Sequence, residues 1–262
     1  MTNSRVSRRY LPASTLVLGI VLLAAAARAQ GSSDGTAASG QIWANVTFDW
    51  RPNEHVTYSL DFEPKIQVSG PPPAWAALDV TPGAQFTLTK WADLIGEGVV
   101  ARTVQTDNLR TTELTVRGGA LFHLFSRQEQ LFFKEHLPKR RLVIRDLVRW
   151  EWRHFSYSDD EPNSSSGRFR NRVEFFYPLN RPNMGSDGTV HLIADWEWYV
   201  PIKGDLSERF ANKRRYRGGV GYRRDRSWQM AALYMRSNSR NTIDEPFGTS
   251  ENIIDLQVKR VW

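Results

Sequence analysis

Two neighbouring segments alternate charged and apolar side chains so regularly that they restrict what this chain can fold into. The first has the sequence RLVIRDLVRWEWRHF and runs from Arg141 to Phe155. From position 145 one set of alternate residues is mostly charged: Arg145, Leu147, Arg149, Glu151, Arg153 and Phe155. The intervening set centres on two tryptophans: Asp146, Val148, Trp150, Trp152 and His154. Because a β-strand sends alternate side chains to opposite faces, the segment predicts a strand with one charged and one aromatic face.

The second segment, RFRNRVEFFYPL from Arg168, repeats this pattern. One set of alternate residues is charged (Arg168, Arg170, Arg172 and Glu174), and the other is apolar (Phe169, Val173, Phe175 and Tyr177). A soluble sheet buries its apolar face and exposes its charged face. A membrane barrel turns the apolar face to lipid and the charged face to the lumen. The number and length of such segments decide between a soluble sheet and a membrane barrel.

The N-terminus has the features of a secretory signal peptide over residues 1–29. A basic region (Arg5, Arg8 and Arg9) precedes an apolar run, Thr15 to Ala27, and Ala27-Arg28-Ala29 fits a cleavage site. The run is short for a membrane span, so an uncleaved anchor is the lesser alternative. Residues 30–40 are rich in Gly, Ser and Ala and predict a disordered lead-in. Residues 41–262 then form the single domain.

Charge and composition narrow the class of protein. The formal charge of +7 includes four arginines and no acid from residues 1–29, so the mature chain would carry +3, which gives nucleic-acid binding little support. There is no cysteine and hence no disulfide framework. Ten Trp, eight Tyr and thirteen Phe accompany many charges. This combination favours an outer-membrane barrel, with a soluble periplasmic β-protein as the alternative.

Alternating segments recur roughly every 12 to 20 residues from Gly40 onward, separated by Gly, Pro, Asn, Asp and Ser. Most reach the ~9–11 residues that a tilted strand needs to cross the hydrocarbon. An exported barrel chain is expected to start and end in the periplasm, which requires an even number of strands. The uncertain segment Gln128–Leu137, helix or strand, is therefore taken as a strand. The sequence predicts an antiparallel transmembrane β-barrel of about 12 strands.

The last segment, NIIDLQVKRVW, has Ile254, Leu256, Val258 and Trp262 at alternate positions. A terminal aromatic residue after such a strand is typical of outer-membrane barrels, whose assembly machinery recognises the last strand. Arg260 departs from the apolar set, near the expected membrane interface.

The chain resembles the bacterial outer-membrane β-barrel family catalogued as domain of unknown function 2490. The segments that carry the resemblance are RWEWR (Arg149–Arg153), RFRNRVEFFYPL (Arg168–Leu179), DWEWYVPI (Asp195–Ile202), the Leu78–Lys90 segment and a first strand with Trp43. The resemblance implies a barrel in the outer membrane of a Gram-negative-type bacterium. It implies no activity, because the function of the family is not established.

The lumen is the candidate functional region. The charged residues expected there, called the charge ladder below, are Arg145, Arg149, Glu151, Arg153, Arg170, Arg172, Glu174, Asp195, Glu197, Arg215 and Arg217. One interpretation is that they neutralise one another across neighbouring strands, since facing side chains are close enough to pair. The other is an anion-selective passage or a site for an acidic ligand, because arginine rings select anions. Both interpretations remain open from the sequence.

Enzymatic chemistry has little support in the residues. His55, His123 and His191 are expected on the inward set and are the weak catalytic candidates of a lipid-acting barrel enzyme. No G-x-S-x-G nucleophile motif accompanies them. No H-x-x-x-H or H-E-x-x-H motif predicts a metal site, and no cofactor is expected.

The sequence thus predicts a monomer in the outer membrane, in contact with lipid and lipopolysaccharide, that is structural or forms a narrow channel. A lipid-acting enzyme and a soluble periplasmic protein are the two alternatives.

Overall fold

The computed structural model describes residues 38–125, 141–158, 162–203, 213–239 and 248–262. Within these ranges eleven strands close into one barrel. In chain order they are β1 (Ser39–Trp50), β2 (Val56–Ser69), β3 (Trp75–Thr87), β4 (Ala92–Gln105), β5 (Arg110–Phe125), β6 (Val143–Tyr157), β7 (Ser164–Pro178), β8 (Thr189–Lys203), β9 (Lys213–Arg223), β10 (Trp228–Ser239) and β11 (Gly248–Val261). No helix in these ranges is long and apolar enough to cross a membrane.

Every strand pairs antiparallel with the next one in the chain, and the barrel closes through a parallel pair. In that pair β1 lies beside β11, with Ser39 opposite Glu251 and Asp49 opposite Val261. Closure leaves no unpaired strand edge, so all the strands satisfy their backbone groups within the barrel. The prediction of an all-β barrel is confirmed.

The strand number differs from the even number that the sequence led us to expect. The expected strand Gln128–Leu137 lies outside the described residues, as do the predicted signal peptide and most of the predicted lead-in. Because β5 pairs directly with β6, the barrel closes without a strand between them. An odd number of strands makes the first and last ones run parallel, so the start of β1 and the end of β11 lie at opposite rims.

The side-chain alternation in the strands agrees with the sequence. On β6 the side chain of Glu151 is 0% exposed, whereas Trp150 beside it is 44% exposed. The same contrast holds on β8 between Glu197 (3%) and Trp196 (44%). The charged set therefore lies inside the barrel and the apolar set outside.

The outer surface is apolar and carries two groups of aromatic rings. Toward the rim where β1 ends, stacked pairs join neighbouring strands: Phe48–Trp262, Trp50–Tyr58 and Trp91–Phe122. A second group lies near the middle of β6 and β8 and on β9: Trp150–Trp152, Trp196–Trp198 and Trp196–Tyr216. Arg260 is also outward, 4.8 Å from the centre of the Trp228 ring and 5.4 Å from that of Trp262.

Short connections are closed by Asn and Asp side chains that accept backbone hydrogen bonds. Asn53 Oδ1 accepts from the backbone N–H groups of His55 and Val56, each at 2.9 Å. Asp225 Oδ1 accepts from those of Ser227 and Trp228 at 2.7 and 2.9 Å. Such side chains stabilise tight turns locally, which fixes the register of the strands on either side.

Two adjacent glycines of β5 provide a test of how closely β5 and β6 pack. A Cβ atom on Gly119 would lie 2.2 Å from the backbone oxygen of Val148, whereas a Cβ atom on Gly118 would meet nothing within 4 Å. We expect Gly119→Ala to lower the free energy of unfolding by about 1–3 kcal/mol, because backbone atoms must move. Gly118→Ala is the matched control. Thermal unfolding followed by circular dichroism measures both, and equal melting temperatures would contradict the packing described.

Candidate functional site

The barrel interior brings the whole charge ladder together. Ten of its eleven residues line one cavity of about 870 Å³, and Glu151 lies behind them, fully buried. Arg117 and Arg168, on β5 and β7, belong to the same wall.

Glu151 is a carboxylate that four arginines approach. Arg168 Nε donates to Glu151 Oε2 at 2.5 Å, and Arg170 Nη1 donates to Oε1 at 3.3 Å. The Nε atoms of Arg117 and Arg149 approach the same Oε1 at 3.4 and 3.3 Å. A buried carboxylate requires such partners, since an isolated charge in a low-dielectric interior is strongly unfavourable. Glu151 therefore holds arginines from three strands, β5, β6 and β7, in fixed positions.

Glu197 extends this arrangement to β8 and β9. Arg170 Nε donates to Glu197 Oε1, and the hydroxyl of Tyr199 donates to Oε2 at 2.7 Å. Arg215 Nη1 in turn donates to the Tyr199 hydroxyl at 2.8 Å. The polar contacts thus continue around the wall from β5 to β9.

Some ion pairs join strands that are not neighbours. Arg149 Nη1 on β6 lies 2.7 Å from Glu97 Oε2 on β4, and Arg217 Nη1 on β9 lies 3.5 Å from Asp255 Oδ2 on β11. Each pair crosses one intervening strand. These ion pairs stabilise the curvature of the barrel, because the two partners meet only when the sheet is bent inward between them.

A small apolar cluster also lies inside the barrel. Trp43, Met235 and Ile253, on β1, β10 and β11, are at most 8% exposed and pack together. Lys65 Nζ lies 4.5 Å from the centre of the Trp43 ring, and the guanidinium carbon of Arg215 lies 5.3 Å from it. Two cations therefore lie close to the Trp43 ring, and each is attracted by the negative electrostatic potential of the aromatic face.

The cavity has two chemically different walls. Its arginines come from β5, β6, β7 and β9, whereas β1, β10 and β11 contribute amide and hydroxyl groups, among them Asn45, Thr47, Gln229 and Gln257. In the ring of strands β1 lies opposite β6 and β7. Among the described lining residues twelve are Lys or Arg and nine are Asp or Glu. Cations thus outnumber anions on the cavity surface, while the buried carboxylates of Glu151 and Asp255 lie behind it, within ion-pair distance of lining arginines. Apolar side chains, such as Trp43 and Leu233, form the rest of the lining.

The three histidine candidates are not brought together. His123 Nε2 lies 2.7 Å from Asp93 Oδ2, which also accepts a hydrogen bond from Gln85 Nε2 at 2.7 Å. His191 is 6% exposed and faces the Phe176 ring, with 6.4 Å between ring centres. The expectation that His55 points inward is wrong, because this residue lies in the turn before β2, where its side chain is 68% exposed. That turn is set by Asn53, two residues earlier, and the strand begins only at Val56.

The sequence reasoning missed several partners of the ladder: Glu97, Asp255, Glu251 and Lys213. Glu251 Oε1 accepts from Lys213 Nζ at 2.8 Å between β11 and β9. The pairing of β4 with β5 places Glu97 inside the barrel, since Glu97 lies opposite Arg117. No group of three or more His, Asp or Glu side chains among the described residues is placed to hold a metal ion.

A family model described as a protein of unknown function (DUF2490) matches residues 40–246, from β1 through β10. The match contains every residue of the charge ladder and confirms the resemblance seen in the sequence. No curated protein matches the chain.

Glu151 provides a test of how far the barrel depends on its internal charges. We expect Glu151→Gln to lower the free energy of unfolding by about 3–5 kcal/mol, because several buried guanidinium groups lose their carboxylate. Glu54→Gln is the control, since the Glu54 side chain is 87% exposed and touches only His55 in the ion pairs described. Denaturant unfolding monitored by tryptophan fluorescence compares the two. An unchanged denaturant midpoint for Glu151→Gln would show that other contacts neutralise these arginines.

Proposed function

The chain belongs to the DUF2490 family of proteins of unknown function, and we propose that its barrel lies in a bacterial outer membrane and forms a narrow channel that prefers anions. The observation that carries the proposal is the polarity of the barrel wall: apolar and aromatic outside, charged inside.

The outer face supports the membrane location. Large exposed apolar side chains occur on most of the strands, for example Val116 (65%), Leu114 (51%) and Ile202 (57%). In water such a surface would be an aggregation site, whereas lipid solvates it. The stacked aromatic pairs near the rim where β1 ends match the girdle that barrels place at a membrane interface. Arg260, held against Trp228 and Trp262, fits a cation reaching the interface.

The interior supports the channel. A filled barrel would have side chains packed across its axis, yet the described residues surround a cavity of about 870 Å³ lined mainly by polar side chains. Twelve cations and nine anions line this cavity, and Glu151 and Asp255 lie behind its surface, within 4 Å of lining arginines. The cavity surface itself therefore carries a small positive excess. Arginine-lined constrictions favour anions for this reason.

The alternative of a purely structural interior rests on the ion pairs. Every residue of the charge ladder has an oppositely charged partner within 4.0 Å, including Arg153 with Glu113 at 2.9 Å and Arg172 with Glu174 at 3.0 Å. Conductance separates the two roles, because a structural interior passes no ions.

The proposal contains no catalytic step. Its partners are the lipid and lipopolysaccharide around the outer surface and the assembly machinery that reads the last strand up to Trp262. A single barrel buries all its strand edges, so the monomer is sufficient for the proposed channel.

The location is tested by fractionation of a Gram-negative host expressing the full chain. We expect the protein in the outer-membrane fraction, resistant to salt washing, because its apolar surface requires lipid. An unheated sample should also migrate as a compact band on a denaturing gel, with slower migration after boiling. Release of the protein by salt washing, with no compact band in the unheated sample, would contradict the membrane location and favour a soluble periplasmic protein.

The channel is tested with purified protein in planar lipid bilayers. Under a potassium chloride gradient we expect a reversal potential whose sign shows that chloride permeates faster than potassium, because cations line the lumen in excess. Bilayers exposed to detergent alone are the control. Equal permeabilities for chloride and potassium would contradict the anion preference. A lack of conductance would contradict the channel and leave a structural role for the barrel.

A further inference from the structure

Three arginines of the cavity wall form a compact group, called the arginine triad below: Arg145, Arg149 and Arg172. On β6, Arg145 and Arg149 lie two residues to either side of Leu147, and Leu147 lies directly opposite Arg172 on β7. All three side chains point into the barrel and line the cavity. Diagonal neighbours on a sheet are close enough for long side chains to meet. One ligand group can therefore contact more than one member.

Two carboxylates hold the triad in place. Glu174 is shared, with Oε2 lying 2.7 Å from Arg145 Nη2 and Oε1 lying 3.0 Å from Arg172 Nη2. Arg149 Nη1 lies 2.7 Å from Glu97 Oε2. The guanidinium groups are therefore preorganised before any ligand arrives, which reduces the loss of side-chain entropy on binding.

Two members of the triad stay partly accessible. The side chains of Arg145 and Arg172 are 34% and 20% exposed, whereas that of Arg149 is 6% exposed. The Nε atoms of all three are buried and donate no hydrogen bond to any described residue, so a ligand in the cavity contacts other atoms of the guanidinium groups. The exposed parts of Arg145 and Arg172 suit an oxyanion, since guanidinium groups match carboxylate and phosphate geometry.

The opposite side of the cavity suits a different part of a ligand. It presents Asn45, Thr47 and Gln257, together with the carboxylate of Asp61 on β2. These groups donate to and accept from hydroxyls. A cavity of about 870 Å³ falls within the range of sites that hold small molecules, about 300–1,000 Å³.

We infer that the arginine triad is a binding site for the oxyanion of a small hydroxylated solute, a sugar acid or a sugar phosphate. The carboxylate or phosphate contacts the triad, and the hydroxyl groups face Asn45, Thr47 and Asp61. The inference deepens the proposed function, because the solute reaches the site through the channel. The triad then sets which anions the channel retains.

Calorimetry on the purified full chain in detergent micelles tests the site without requiring a membrane. The probes are glucuronate, glucose 6-phosphate, glucose and inorganic phosphate, each titrated separately. We expect both sugar anions to bind, glucose not to bind, and inorganic phosphate to bind more weakly than glucose 6-phosphate. Glucuronate and glucose 6-phosphate together show whether the site prefers carboxylate or phosphate.

Two variants locate the binding. Arg172→Gln leaves Glu174 paired with Arg145, and Arg145→Gln leaves it paired with Arg172, so neither exposes an unpaired carboxylate. Each variant should bind glucuronate and glucose 6-phosphate at least about tenfold more weakly than the wild type, because a hydrogen bond to a charged group is lost. Arg224→Gln is the matched control, because Arg224 lies in a turn outside the lumen with its side chain 65% exposed. Circular dichroism melting checks that all three variants are folded.

The outcomes distinguish this inference from the proposed function. No heat of binding for either sugar anion, or equal binding by both triad variants and the wild type, would overturn the triad site and leave solvent in the cavity. Inorganic phosphate binding as tightly as glucose 6-phosphate would overturn the hydroxylated ligand. Conductance is measured separately. Binding without conductance would reject the channel and keep the triad site. Conductance without binding would reject the triad site and keep the channel.

Discussion

The neutralisation of Glu151 by surrounding arginines is the interaction on which the interior depends. A carboxylate that is 0% exposed has lost its hydration, and only nearby cations and hydrogen-bond donors compensate for that loss. The four arginines that do so come from β5, β6 and β7. Their side chains are long, so they reach the same oxygen atoms only when the three strands keep one register. The charge cluster thereby specifies the pairing of the strands, in addition to occupying the lumen.

Closure by a parallel pair follows from the odd number of strands. In antiparallel pairing every strand reverses direction, so an eleventh strand returns in the direction of the first. The parallel seam is continuous over eleven residue pairs. Inside the seam lie Trp43 and Ile253, which pack with Met235 of β10. Apolar packing therefore supports the seam from within, where parallel hydrogen bonding is slightly less stable per residue.

The period-two alternation predicts most of this structure from the sequence, because it depends only on neighbouring residues. Trp150 and Glu151 are assigned to opposite faces without any knowledge of the fold. The strand number is different, since it depends on how the first and last strands meet, and nothing local to β1 or β11 encodes that. The ion pair of Arg149 with Glu97 is beyond the sequence for the same reason. Predicting this ion pair requires knowing that β4 lies two strands from β6 and which side chains of β4 point into the barrel. His55 was misplaced because the turn before β2 ends one residue later than the alternation indicated.

Structural pairing and anion contact involve different atoms of the same arginines. A guanidinium group carries five N–H donors in a planar fork, and a carboxylate usually engages only one edge of it. The edge that faces Glu174 or Glu97 fixes the side chain of Arg172 or Arg149. The Nε–H of each is buried and has no acceptor among the described residues, so it does not face the lumen. The Arg172 side chain as a whole nevertheless remains 20% exposed and lines the cavity, whereas that of Arg149 is 6% exposed. An arginine such as Arg172 can therefore hold two strands together through one edge while other donors of its guanidinium group face the lumen.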